Sequence, residues 1–415
     1  MTEPPDAENF SSDAVRSVTA LTLVSRVLGL ARDVAMAAVF GGGPVFDAFT
    51  LAFRVPNLFR RWFGEGAFSL AVIPALTRVA SRQGPAARDR LATALVLFAS
   101  GVTALIAVVT FCGLTGLVGS GVFAAGRDRL WADYVRILIW YLPLICATAQ
   151  LSAVLQTAGR FAAAAFVPVV LNLSWLATLA VWLGLAGSRG ESATLGGALC
   201  CAIVVSGLLQ LAVVSGDCFR SRVWIRLPGR TDWGRARRIV AGAPAAVAAV
   251  GITQVNVVVD AIFAWWAAPV GAVSALYFGQ RLYEFPIGVF ALAVGAVIFP
   301  AMASREADGD RPGLGRTTAD GLRLVAFLGM PAAVGLVLVA RPLVTLFFRY
   351  GAFSDADAGR TAAVVVALAV GVLPGMLLPI LQRAHLAVGA TGRCVRFPVI
   401  AVVANAVLDG PAAWL

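Results

Sequence analysis

Residues 25–33 read SRVLGLARD, and residues 46–69 read FDAFTLAFRVPNLFRRWFGEGAFS. The first stretch carries Arg26, Arg32 and Asp33; the second carries Asp47, Arg54, Arg60, Arg61 and Glu65. Both sit in segments otherwise apolar enough to cross a bilayer. A charged side chain at the bilayer centre costs at least ~2.5–3.5 kcal/mol, so it faces a wet cavity or a partner. A mostly cationic set on the first two spans points to an internal polar chamber suited to an anion.

The rest of the chain agrees with a membrane setting. Of 415 residues, 60% are hydrophobic and 13% charged, with a mean hydropathy of +0.85. A soluble domain could not hide that much apolar surface, so the expected fold is all-α and polytopic. Apolar stretches fall near residues 15–40, 45–78, 90–120, 130–157, 160–186 and 193–216, then 236–268, 271–303, 318–347, 357–388 and 396–414. At ~20 residues per span, that makes about eleven transmembrane helices. The chain has no lysine, so all 33 basic residues are arginine, and the net charge of +11 is no nucleic-acid footprint. Arginines gather in alternate loops, such as Arg78 to Arg90 and Arg220 to Arg238. The loops GGGPVF, GSRGES and APVG between them are nearly bare. The positive-inside rule then puts the N-terminus in the cytoplasm. No basic leader region precedes the first span, so that span is expected to be retained.

A weak internal repeat sets the domain organisation. Asp33 in ARDVA matches Asp260 in VVDAI, and Arg54 matches Arg281 at the same offset. Pro74 with Pro300, Pro143 with Pro374, and Asn172 with Asn405 follow in order at nearly that offset. An even number of spans separates the copies, which gives a parallel duplication about an axis along the membrane normal. The expectation is two pseudo-symmetric lobes around a central cationic cavity. The N-terminal six-helix lobe covers residues 1–225, and a C-terminal lobe of about five helices, incomplete, covers residues 226–415.

Each candidate site residue has a structural alternative. Guanidinium groups offer planar, bidentate donors that match phosphate oxygens and stay ionised at low dielectric. Arg26, Arg32, Arg54 and Arg60 are therefore candidates for an anion, and Pro56 suggests a broken helix beside them. The alternative is internal pairing, of Arg32 with Asp33 or Asp47 and of Arg61 with Glu65. Arg281 and Glu284 are three apart on one helical face, as a self-satisfied ion pair or as an arginine held toward the cavity. Asp260, Asn405 and Asp409 are hard oxygen donors for a cation, or hydrogen-bonding groups between helices. The six cysteines have no metal spacing and read as small hydrophobes. His385, the lone histidine, reads as interfacial, and no catalytic triad or Walker loop appears. The GGG at 41–43 lies between spans, which excludes a nucleotide loop.

SRVLGLARD, FDAFTLAFRVPNLFRRWFGEGAFSLAVIPAL and RLYEFPIGVFALAVGAVIFPAMA together resemble the MurJ/MviN family of lipid II flippases. That family lies within the multidrug, oligosaccharidyl-lipid and polysaccharide exporters. The likeness also covers LPLICATAQLSAVLQTAGRF, FVPVVLNLSW and LFFRYGAFSDADA. It implies a flippase, not an enzyme, moving the lipid-linked peptidoglycan precursor from the inner to the outer leaflet of a bacterial plasma membrane by alternating access. It implies that Arg26, Arg32, Arg60 and Arg281 are cavity arginines, that Asp47 and Glu284 are important carboxylates, and that Arg54 is a basic position. Asp260, Asn405 and Asp409 match the family's pattern for a Na⁺ site, with Na⁺ as coupling ion. The implied partners are a lipid-linked diphosphate, the bilayer and cell-wall synthesis proteins. Two departures stand out. Gln280 occupies a position where some relatives carry Asp, and the chain stops at GPAAWL near the end of its eleventh span where the family has fourteen. The expectation is a C-terminally truncated member. The competing readings are an exporter of another lipid-linked glycan and a non-transporting scaffold for cell-wall assembly.

Overall fold

The computed structural model describes residues 12–60, 67–123, 125–186, 192–221, 226–242 and 244–388. Among them every regular element is a helix. The chain divides into two compact units: residues 1–35 with 51–254, and residues 36–50 with 255–415.

The first unit begins with most of α1 (Ser12–Phe40) and the second half of α2 (Pro44–Arg60). It continues through α3 (Ala67–Gln83), α4 (Pro85–Gly119), α5 (Gly126–Leu138), α6 (Tyr141–Thr157), α7 (Ala162–Ala186), α8 (Ser192–Arg220) and α9 (Arg230–Gly242). Expected spans near 90–120, 160–186 and 193–216 are α4, α7 and α8, and the span near 130–157 is the pair α5 and α6, bent by 41°. Val72, Leu76, Leu91, Leu95, Val154 and Val214 form a buried core that joins α3, α4, α6 and α8. Small residues let these helices close up. Gly207 of α8 sits against the Tyr141 ring of α6, where any Cβ would collide. Such close approach is how helices associate when lipid offers no hydrophobic drive.

The second unit holds α10 (Pro244–Ala267) from residue 255 onward and α11 (Ala272–Pro286). A single π-helical turn, Ile287–Ala291, leads from Pro286 into α12 (Leu292–Ala307) without breaking the span. Next come α13 (Arg311–Phe348), α14 (Asp355–Ala369) and α15 (Val372–Ala387), the last two bent by 45°. Residues 36–50 pack here through aromatic rings. Phe278 stacks on Phe46 at 5.1 Å and meets Phe348 at 4.8 Å and Phe353 at 5.4 Å. At Gly41, φ is +59°, and a Cβ would strike the Ala352 carbonyl, so glycine is required by both backbone and space.

Length and composition suit five described helices to membrane crossing, or seven if each bent pair is one span. Large apolar side chains on them face outward, including Phe327, Leu338 and Leu346 of α13. A long helix that is apolar all round belongs in lipid. The helix of 29 residues at the front is long enough to cross as well, but carries Arg16, Arg26, Arg32 and Asp33. The break expected at Pro56 is absent, because α2 runs through it to Arg60. Proline deletes one backbone bond, and a neighbour-supported membrane helix tolerates that loss. The expected last span, 396–414, lies outside the described residues, as do Arg61 and Glu65.

Candidate functional site

In the first unit the charge is organised around Arg32, which is only 8% exposed. Its Nε and Nη2 donate to Asp33 Oδ1 at 3.1 and 2.8 Å, and its Nη1 donates to Asn172 Oδ1 at 3.0 Å. Its guanidinium lies 4.6 Å over the Trp175 ring, and Asn172 Nδ2 donates to the Ser25 carbonyl at 3.1 Å. Asn172 and Trp175 stand on one face of α7, three residues apart. Phe53 of α2 meets Trp175 edge-on, with centroids 5.3 Å apart. The five guanidinium N–H donors in their rigid fork suit this divided task, which the single point of an ammonium could not perform. Arg32 is therefore a buried hub joining α1 to α7, and the pairing alternative with Asp33 is the one realised.

The other arginines of the first two helices differ. Arg26 is exposed on α1, while Arg54 is buried on α2 at 9% exposure. Arg60 is the last residue of α2. Six residues separate Arg26 from Arg32, about 120° apart around a regular helix. One therefore turns to protein and the other outward.

In the second unit Asp47 is fully buried and caps a helix from another part of the chain. Its carboxylate accepts from Gly271 N at 2.6 Å and from Ser274 N at 2.8 Å, and the Ser274 hydroxyl donates to it as well. Gly271 is the N-cap of α11, with φ +96°, a conformation that glycine adopts without strain. An anion at the positive end of a helix dipole, taking orphan N–H groups, is a favourable arrangement. Beside it, Arg360 donates to the Val270 carbonyl at 2.9 Å and to Asp357 Oδ1 at 2.5 Å. Ala352 N donates to the Ala38 carbonyl at 2.7 Å. The bare GGG loop is thus the centre of a backbone knot with the segments around Gly271 and Ala352.

Arg281 and Glu284 lie on α11, one turn apart. Their ion pair is 3.7 Å long and open, with Glu284's side chain 59% exposed. Arg281 Nη2 also donates to the Tyr277 hydroxyl at 3.2 Å, and its guanidinium lies 4.8 Å from that ring. The arginine is held on two sides and still exposed. Asp260 is half-buried on α10 with Asn256 one turn before it. Asn405 and Asp409 lie outside the described residues. Sequence reasoning missed Asn172, Trp175, Ser274 and Asp357. Asn256 was detectable, four residues before Asp260 within an apolar helix.

Residues 36–414 match the family described as "Lipid II flippase MurJ". The chain belongs to the MurJ lipid II flippase family. It is 34% identical over 414 residues to a Vibrio cholerae protein described as "Probable lipid II flippase MurJ", covering 96% of this chain and 76% of the relative. A Burkholderia cenocepacia "Lipid II flippase MurJ" is 30% identical over 377 residues, covering 89% and 72%. Among solved structures, a lipid II flippase MurJ in an inward closed conformation superposes with a TM-score of 0.77 at 20% identity, covering 94% of this chain and 80% of that one. An inward-facing multidrug resistance MATE transporter of the MOP superfamily gives 0.75 at 12% identity, covering 94% and 88%. MurJ membership makes the chain a multi-pass membrane protein of bacteria and a transporter, not an enzyme. The MurJ/MATE transporter fold is the one the helices build.

Proposed function

We propose that this chain translocates lipid II, the lipid-linked peptidoglycan precursor, from the inner to the outer leaflet by alternating access, with its N-terminus in the cytoplasm. Family membership supports the substrate class. The observation that carries the reading within the fold is Arg281, an exposed guanidinium on an apolar helix, braced by Tyr277 and Glu284. A braced fork loses little entropy when it takes a diphosphate's oxygens, and weak hydration lets it do so in a low dielectric. Arg26 and Arg60 supply further cationic character along the substrate's route, while Arg32 and Arg54, being buried, position the helices that carry it. Asp47 fastens residues 36–50 to the first turn of α11 within the second unit, which helps hold the helix that presents Arg281. Cell-wall synthesis proteins that consume the flipped precursor are the partners this function implies.

The reading is tested in a strain depleted of its own lipid II flippase. Expression of this chain should restore growth and make the precursor accessible to an external probe. Restored growth without precursor at the outer face would favour export of a different glycan lipid.

We propose Na⁺ as the coupling ion, held by oxygen donors of the second unit. Asn256 and Asp260 are hard oxygen ligands, half-buried and one turn apart on an otherwise apolar helix, and such oxygens suit Na⁺ better than a transition metal. Asp260, with Asn405 and Asp409, would hold the ion. Its charge would bias the second unit toward one conformation by differential affinity. Sodium should raise the unfolding temperature relative to choline, and Asp260→Ala should remove the difference. A sodium effect unchanged by Asp260→Ala would place any ion elsewhere.

A further inference from the structure

An open groove of about 880 Å³ lies between α1, α7 and α8, wholly within the first unit. Its wall is apolar, built from Phe166 and Val170 of α7 and Val213 of α8. Its rim is charged: Arg160, just before α7, and Asp217 and Arg220, at the end of α8, line the same cavity. Asp217 fixes Arg160, which donates through Nη2 at 2.6 Å and Nε at 3.4 Å, yet half of the Arg160 side chain stays exposed. Arg220 is exposed as well. The positive dipole end of α7, a helix of 25 residues, opens at this rim. Two arginines against one aspartate leave it net cationic, and the positive-inside rule sets these loops at the cytoplasmic surface.

An apolar trough with a cationic mouth at the headgroup level matches one molecule class in both halves. We propose that this groove binds an anionic glycerophospholipid of the cytoplasmic leaflet. Its phosphate lies between Arg220 and the exposed edge of Arg160, and an acyl chain lies along Phe166, Val170 and Val213. A volume in the range of ordinary ligand pockets accommodates that chain. A zwitterionic lipid brings its own cation to a cationic rim, so charge selects the anionic one. Basic pockets between transmembrane helices on the cytoplasmic side hold lipid headgroups by the same physics.

The test uses the full chain in neutral detergent, with unfolding temperature followed during titration. The three additives are phosphatidylglycerol, phosphatidylcholine and glycerol 3-phosphate. The expected result is a saturable rise with phosphatidylglycerol alone. Arg220→Gln should weaken the apparent affinity on the order of fivefold, the worth of one arginine at a charged membrane surface. Gly216 also lines the groove, and a side chain added there meets open space. Gly216→Phe should therefore abolish the phosphatidylglycerol response while leaving the unfolding temperature in detergent no lower than that of the parent. An equal response to phosphatidylcholine would overturn the proposal, as would protection by glycerol 3-phosphate alone. So would a phosphatidylglycerol response unchanged in both variants.

Discussion

Asp47→Ala is expected to cost about 3 kcal/mol or more of stability, since each buried donor left without an acceptor costs about 1–3 kcal/mol. Two backbone N–H groups, of Gly271 and Ser274, and the Ser274 hydroxyl all converge on this one carboxylate at a fully buried position. Removing it also strips the negative charge from the N-terminal end of α11. Asp47→Asn keeps an acceptor oxygen but loses that charge and adds donors facing donors, so it should fall between wild type and alanine. Ser274→Ala removes only the hydroxyl and should cost least. Thermal unfolding of the purified variants gives the order, and complementation should fall in parallel. An alanine variant that unfolds at the wild-type temperature would contradict the capping role.

A second large effect should separate arginines that hold the fold from those proposed to meet substrate. Arg32→Ala should lower membrane abundance, because breaking a buried ion pair strands the remaining charge at a cost of about 3–5 kcal/mol. Asp33 would be that charge, with Asn172 and Trp175 losing their partner in the same step. Arg32→Lys should rescue little, since one ammonium cannot fork to Asp33 and Asn172 while stacking on the ring. Arg26→Ala and Arg281→Ala should behave oppositely, with normal abundance and lost transport, because both side chains are exposed. Immunoblots and complementation from the same cultures decide this. Arg32→Ala at full abundance without activity would move Arg32 into the substrate set.

The sequence carried the spans near 90–120, 130–157, 160–186, 193–216, 271–303, 318–347 and 357–388, which the described helices match, because lipid forces every backbone group to be satisfied within its own helix. Local pairs were legible for the same reason: Arg32 with Asp33 and Arg281 with Glu284 are fixed by adjacency or by one helical turn. Long-range partners were not. Asn172 lies 140 residues from Arg32, and Ser274 lies 227 from Asp47, so nothing in either stretch announces the other. Asp47 is the sharpest case. Beside a run of arginines it reads as their counter-ion, and nothing nearby in the sequence announces the first turn of α11 that the fold brings to its carboxylate. The GGG loop reads as a bare connection, and its reason appears only when Ala352 and Gly271 are seen against it. Pro56 misled because a missing N–H is a weak breaker in a supported membrane helix.

The proposed route for lipid II needs Arg281. Its most direct measurement is a reconstituted assay with fluorescent lipid II placed in the inner leaflet of liposomes and an impermeant quencher outside. Wild-type protein should bring the label into the quencher's reach, Arg281→Ala at equal reconstitution should not, and a labelled phospholipid should be left behind. Equal rates for the wild type and Arg281→Ala, or equal movement of the labelled phospholipid, would contradict it.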